Sequence, residues 1–189
     1  MAVPLPYQKG TYKDWLNKQE GRWELIDGVL YNMTASPSSY HQFTQTQLLA
    51  RLHAHFTAKG CSVFASPFDV FLSESEDYDT PEHVVVPDLT VICNKEQIVK
   101  KGCLGAPELV VEILSPSTAV IDFNKKYRLY ERFGVKEYWI VDPIAKTVTQ
   151  LQLSEGSYGE PTLFEEKDIL ASIQYDGLAI PLEGVFLAI

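Results

Sequence analysis

The chain has 189 residues, 46% of them hydrophobic and 22% charged, with a formal net charge of −9 at pH 7. That size and balance fit one folded domain with a sizeable core and exclude a disordered chain, and no uninterrupted apolar run approaches the length of a membrane span. The acidic balance argues against a protein that coats nucleic acid nonspecifically, because such affinity comes mainly from neutralising phosphates. It leaves open a locally basic cleft, or an activity that relies on divalent cations.

Met1-Ala2-Val3-Pro4-Leu5-Pro6 lacks the basic start and apolar core of a secretory signal. Cys61, Cys93 and Cys103 are odd in number and have no metal-type spacing, so reduced thiols in a cytoplasmic protein are expected. Thr11 to Gln19 reads as a short helix capped by Thr11, with Trp15 and Leu16 docking. Trp23 to Met33 reads as a hairpin around Asp27-Gly28. A helix from about Tyr40 to Lys59 follows, capped by Ser38 or Ser39 and stopped at Gly60. Short strands are expected near Ser62–Phe64 and Phe68–Leu72, then an acidic loop from Ser73 to His83 and a strand carrying Asp88. The connection from Lys95 to Gly105 has room for a helical turn. A strand carrying Glu112 leads through Ser115-Pro116-Ser117-Thr118 into a helix that stops near Gly134, and Glu137 to Asp142 forms a further strand. Strand, helix and strand at this length predict a right-handed βαβ unit with parallel strands. Thr147 to Leu153 reads as a hairpin partner. The remainder, 154–189, is a β-rich tail with turns at Glu155-Gly156, Tyr158-Gly159 and Asp176-Gly177. No repeat or linker divides the chain, so one domain with its core over 23–153 is expected.

Three charges stand where apolar residues are expected. Asp88 follows Pro87 inside the run Val84-Val85-Val86-Pro87-Asp88-Leu89-Thr90-Val91-Ile92, and Glu112 interrupts Leu109-Val110-Val111-Glu112-Ile113-Leu114. Alternation places Glu112 on one strand face with Val110 and Leu114, opposite Leu109, Val111 and Ile113. Lys126, Leu129, Tyr130 and Phe133 share one helical face, whereas Lys125 lines up with Arg128 and Arg132 on a solvated side. Unpaired buried charges are very costly. Two inward acids and one inward amine therefore point to a metal site for phosphate chemistry, or to a structural ion pair. Asp122, one turn before Lys126, reads as its salt-bridge partner. His41 opens the long helix, either as a packed imidazole or as a phosphate or metal contact. Glu24 lies mid-hairpin and can serve as a further ligand. His53 and His55, two apart on a helix, do not converge, and no Gly-rich phosphate loop is present.

Taken in order, Trp23-Glu24-Leu25-Ile26-Asp27-Gly28, Pro87-Asp88-Leu89, Pro107 to Thr118 and Gly134 to Pro143 resemble a large bacterial family of restriction-endonuclease-like proteins. That family is common in cyanobacteria and was long classed as a domain of unknown function. The resemblance runs from about Trp23 to Leu153. It implies the PD-(D/E)XK nuclease superfamily and an α/β (mixed α+β) fold, a restriction-endonuclease-like mixed central sheet flanked by helices. It further implies Mg²⁺ or Mn²⁺ held by Asp88, Glu112 and the carbonyl of Ile113, with Lys126 completing the catalytic set. Leu114 stands where the superfamily lysine would be, and Lys126 matches the family's displaced lysine. Glu24 and His41 correspond to further polar positions. The expected activity is metal-dependent hydrolysis of DNA phosphodiesters by a homodimer with no membrane contact. A catalytically silent binding module and a metal-dependent hydrolase of RNA or nucleotides are the alternatives.

Overall fold

The computed structural model describes residues 7–18, 20–33, 36–116, 119–172 and 174–188. The segment Met1 to Pro6, the expected helix end at Gln19 and the Ser117-Thr118 part of the expected loop lie outside the described residues. The chain opens with β1 (Tyr7–Lys9), α1 (Tyr12–Leu16), β2 (Trp23–Ile26), β3 (Val29–Asn32) and α2 (Ser39–Thr57). Thr11 and Asp14 form a reciprocal capping box at the start of α1. Trp15 docks, but Leu16 remains 58% exposed, against the expectation that both pack. Successive helical residues point about 100° apart, and a helix this short can bury only one of them. Asp27 and Gly28 both adopt positive φ, 49° and 69°, as the tight turn between β2 and β3 requires. The Ser38 hydroxyl accepts the His41 N–H at 3.2 Å and so fixes the first turn of α2.

Next come β4 (Ser62–Ala65), β5 (Val70–Leu72), β6 (His83–Val85), β7 (Leu89–Ile92), a 3-10 turn at Lys95–Gln97, β8 (Ile98–Val99), β9 (Gly102–Leu104) and β10 (Leu109–Ile113). α3 (Ala119–Ile121), a π-helical turn (Asp122–Lys126) and α4 (Tyr127–Phe133) follow, with Gly134 ending the helix in the left-handed region. The chain finishes with β11 (Glu137–Asp142), β12 (Thr147–Ser154), β13 (Ser157–Tyr158), β14 (Thr162–Glu165), β15 (Ile169–Ala171) and β16 (Ala179–Pro181).

The run from Val84 to Ile92 is not one strand. It divides at Val86-Pro87-Asp88, where proline cannot donate to a ladder, and its halves join different sheets. One seven-stranded sheet has the order β1-β3-β2-β6-β5-β9-β8. The other has the order β13-β12-β11-β10-β7-β4, with β14 pairing on β12. The expected mixed α+β fold is thus built from these two sheets and a small β15–β16 pair, and β8 and β9 arise in a connection expected to hold only a helical turn. The parallel βαβ pair is present as β10 and β11, with Glu112 opposite Ile140. Tyr158, expected in a turn, instead ends β13 buried, and its hydroxyl donates to the Val135 carbonyl at 2.9 Å.

Strand alternation organises the core as expected. Leu109, Val111 and Ile113 pack with Leu48, Leu52 and Phe56 of α2 and with tail residues such as Leu178 and Phe186. Val110, with Leu114 at its margin, packs on the other face with Leu129, Tyr130 and Tyr138. The expected set of reduced thiols is corrected. Cys61 and Cys93 form a disulfide, because pairing of β4 with β7 sets Ser62 opposite Ile92 and brings their neighbours together. Cys103 is free and buried.

A buried histidine at the start of β6 joins the first sheet to α4. The Asp27 N–H donates to His83 Nδ1 at 3.2 Å, and the Arg132 guanidinium lies 2.9 Å from Nε2. Neither partner can accept a proton. Burial, followed by the Arg132 charge, holds the His83 pKa below its usual value, against Asp27, Glu82 and Glu74. The unfolded chain takes up a proton below about pH 6.5 that the folded chain refuses, so stability falls as pH drops through this range. Urea midpoints measured from pH 7.5 to pH 5 should therefore drop further, or rise less, in the wild type than in His83→Asn. Parallel curves for the two proteins would refute this assignment.

Candidate active site

The break at Pro87 places Asp88 at the seam between the two sheets, directly before β7. Its Oδ2 accepts the Ile113 N–H at 2.8 Å and faces His41 Nε2 at 3.1 Å. A carboxylate oxygen only accepts here, so His41 Nε2 carries the hydrogen. The other ring nitrogen, Nδ1, is buried and has no partner among the described residues. Gln45, one turn further along α2, donates to the Asp88 carbonyl at 2.9 Å and to Ser66 Oγ at 3.0 Å, holding the backbone of the seam.

Glu112, in the middle of β10, projects toward the helical segment. Its Oε1 accepts from Lys126 Nζ at 2.9 Å and from the Tyr130 hydroxyl at 2.7 Å. Lys126 also pairs with Glu24 Oε1 at 2.8 Å and lies 3.5 Å from Asp122 Oδ1. Glu24 Oε1 accepts the Val86 N–H at 2.8 Å, whereas Glu24 Oε2 is buried with no partner among the described residues. Lys126 is 1% exposed, and Lys125 beside it is exposed. The π-helical turn contributes to this arrangement, since Asp122 at its start and Lys126 at its end are both buried.

The electrostatics follow from three acids, Glu24, Glu112 and Asp122, gathered round one amine. Burial pulls the Lys126 pKa down, but Glu112, Glu24 and Asp122 more than offset that and hold it well above the usual lysine range. The ammonium is therefore permanent. Burial raises the Glu112 pKa well above the usual carboxylate range; Lys126 opposes this, while Asp122, Asp88 and Glu24 add to it. The Tyr130 pKa is also raised well above normal, by burial first and by Glu112 next, so its hydroxyl stays a donor. The centre carries more negative charge than Lys126 balances.

Asp88, Glu112, Ile113, Asp122, Lys126 and His41 line one cavity of about 290 Å³. Every residue singled out in the sequence for this site except Glu24 reaches that cavity, and Glu24 supports it from behind through Lys126. All described hydrogen bonds and ion pairs of the Asp88 side chain fall on Oδ2, and all those of Glu112 on Oε1. The second oxygen of each is left for another partner. Two functional groups were missed in the sequence. Tyr130 was read as part of an apolar stripe, although its place one turn after Lys126 is the signal for a hydroxyl at the same acid. Asp122 was read only as a helical ion-pair partner, but it also belongs to the cavity wall.

This geometry is that of a nuclease-like α+β fold. A solved chain from Anabaena variabilis, described as a "putative nuclease belonging to DUF820", superposes with a TM-score of 0.74 at 19% identity, covering 93% of this chain and 97% of that one. Residues 10–183 match the family Uma2, described as "Putative restriction endonuclease", and the chain belongs to that family. Two similar proteins of Synechocystis sp. are slr1290, 29% identical over 68% of this chain, and sll1609, 23% identical over 75% of it; both are described as uncharacterized. The match spans 65% of the length of slr1290 and 80% of that of sll1609. Among the described residues, no helix is long and apolar enough to cross a membrane.

Proposed function

We propose that this protein hydrolyses phosphodiester bonds of DNA with the help of a divalent cation, Mg²⁺ or Mn²⁺, at the cavity between Asp88 and Glu112. The observation that carries the reading is the convergence of these two acids, one at the break before β7 and one on β10, on one cavity whose wall also contains Lys126. Among the described residues, no three His, Cys, Asp or Glu side chains are grouped to hold a metal by themselves. The donor set nevertheless fits a hard cation of the magnesium kind, which prefers oxygen and usually keeps several waters, taking one or two carboxylates from the protein. The free oxygens of Asp88 and Glu112, with the Ile113 carbonyl, would hold it. Asp88, Glu112 and Asp122 bring three carboxyl groups to this wall against the one ammonium of Lys126, and a divalent cation would offset that imbalance. When bound, the cation lowers the pKa of attached water and stabilises charge on the phosphoryl group.

The protein's own groups supply the rest. Ile113 N–H and His41 Nε2–H fix the rotamer of Asp88, and Tyr130 with Lys126 fixes that of Glu112. The Lys126 ammonium has two short carboxylate contacts and one long one, to Asp122 at 3.5 Å. Its charge favours the negative charge that develops on a phosphate in the cavity.

Calorimetric titration with Mn²⁺ tests the reading together with cleavage assays on single-stranded, duplex and supercoiled DNA. Binding in the wild type and its loss in Asp88→Asn are expected. Absence of heat in the wild type would leave a nuclease-fold binding module as the better description, and cleavage confined to RNA or nucleotides would move the substrate.

A further inference from the structure

A second cavity, of about 260 Å³, adjoins the first, and Arg22 and Val86 line both. Its walls come from the α1–β2 segment, which the site chemistry above does not use. Trp15 Nε1 donates to the Trp23 carbonyl at 2.7 Å, and Trp23 Nε1 donates to the Glu20 carbonyl at 2.9 Å. Tyr12 stacks on Trp15 with centroids 5.7 Å apart, and Phe71 meets the same indole edge-on at 6.0 Å. Both indoles are therefore held, with their polar edges satisfied, while they border open space. Leu16, the residue of α1 that fails to dock, is 58% exposed and lines the same cavity. Lys18 Nζ lies 4.2 Å from the centroid of the Trp23 ring, and Arg22 brings a second cation. Asp69 contributes a half-buried carboxyl whose pKa is raised by burial alone, and no described hydrogen bond or ion pair involves its side-chain oxygens.

An apolar ligand gives no reason for two cations, and a free phosphate gives no reason for two fixed indoles. A nucleotide needs both: a flat π surface for the base and positive charge for the phosphate beside it. On a chain whose net charge is −9, two cations at a cavity that borders the acidic site form a local exception.

We propose that this second cavity receives the base of the nucleotide adjoining the phosphate held at Asp88 and Glu112. Trp15 and Trp23 form the stacking surface, Lys18 and Arg22 meet the intervening backbone, and Asp69 accepts from an amino or imino group of the base. This rests on the phosphodiesterase reading above and adds a substrate class to it. A base can enter such a cavity only from a single strand or after turning out of a duplex, so the preferred substrate is single-stranded at the site.

Intrinsic fluorescence tests this directly, because the chain has three tryptophans and the third, Trp139, is fully buried in the core. The probe is a six-nucleotide single-stranded thymidine oligomer, titrated in calcium, beside a sugar–phosphate backbone of equal length without bases. The thymidine oligomer should quench emission and the baseless backbone should not. Trp23→Leu should weaken binding about tenfold or more. Asp69→Asn, whose unfolding midpoint should match the wild type, should alter the ranking among oligomers of different bases. Equal quenching by the baseless backbone, or an unchanged base ranking in Asp69→Asn with unchanged affinity in Trp23→Leu, would overturn the proposal. Quenching without cleavage of any nucleic acid would retain the base cavity and remove the phosphodiesterase reading. Cleavage without quenching would retain the hydrolase and remove the cavity.

Discussion

Replacing Lys126 with methionine should destabilise the fold by about 3–5 kcal/mol, a large share of what a single domain possesses. The methylene stem of lysine is matched closely by methionine, so the loss measures the charge rather than the volume. Without the ammonium, Glu24 Oε1 and Glu112 Oε1 lose contacts of 2.8 and 2.9 Å, and Asp122 Oδ1 loses a contact of 3.5 Å. Three buried carboxylates then repel one another in a site with little access to water. Lys126 is the charge that opposes the rise of the Glu112 pKa, so its removal pushes that pKa further up, and the stability Glu112 contributes below its unfolded value disappears as pH rises through its folded one. The variant should accordingly recover more stability than the wild type does as pH is lowered toward 5. Urea denaturation of both proteins at pH 8 and pH 5 measures this. A variant whose midpoint matches the wild type at pH 8 would show that Lys126 is not the counter-charge of the centre.

Asp88→Asn should leave the fold standing and reduce hydrolysis by about 10²–10³-fold or more, the scale seen when one electrostatic contact to a developing charge is removed. The asparagine carbonyl oxygen can still accept the Ile113 N–H, and His41 can meet the amide, so the stability cost should stay near about 1 kcal/mol. Loss of activity with an intact unfolding transition separates a chemical role from a structural one. Cleavage at the wild-type rate would remove Asp88 from the mechanism.

Much of the site was legible in the sequence because its signals are local. The period of two assigned Glu112 to the face of Val110 and Leu114, and the helical period chose Lys126 over Lys125. Both assignments depend only on neighbours within a few residues. The break at Pro87 was half legible: proline's missing donor was visible, but the departure of the two flanking strands into different sheets depends on pairings with β2, β5, β4 and β10, which no local pattern encodes. The Cys61–Cys93 bridge was hidden for the same reason, since cysteine spacing does not report the register of β4 on β7. The Leu16 side chain was misplaced because an apolar residue in a helical pattern reads as core whether or not the helix is long enough to bury it.

The Lys126 contacts span a boundary. Glu24 belongs to the first sheet and Glu112 to the second, and the ammonium bridges them while Asp88 lies on the backbone that crosses between them. Lys126 therefore acts as a rivet through both halves of the molecule, and assembly of the working centre coincides with their docking. A chain with only one sheet formed would lack one of the two carboxylates that Lys126 joins, so the proposed centre exists only once both sheets are in place.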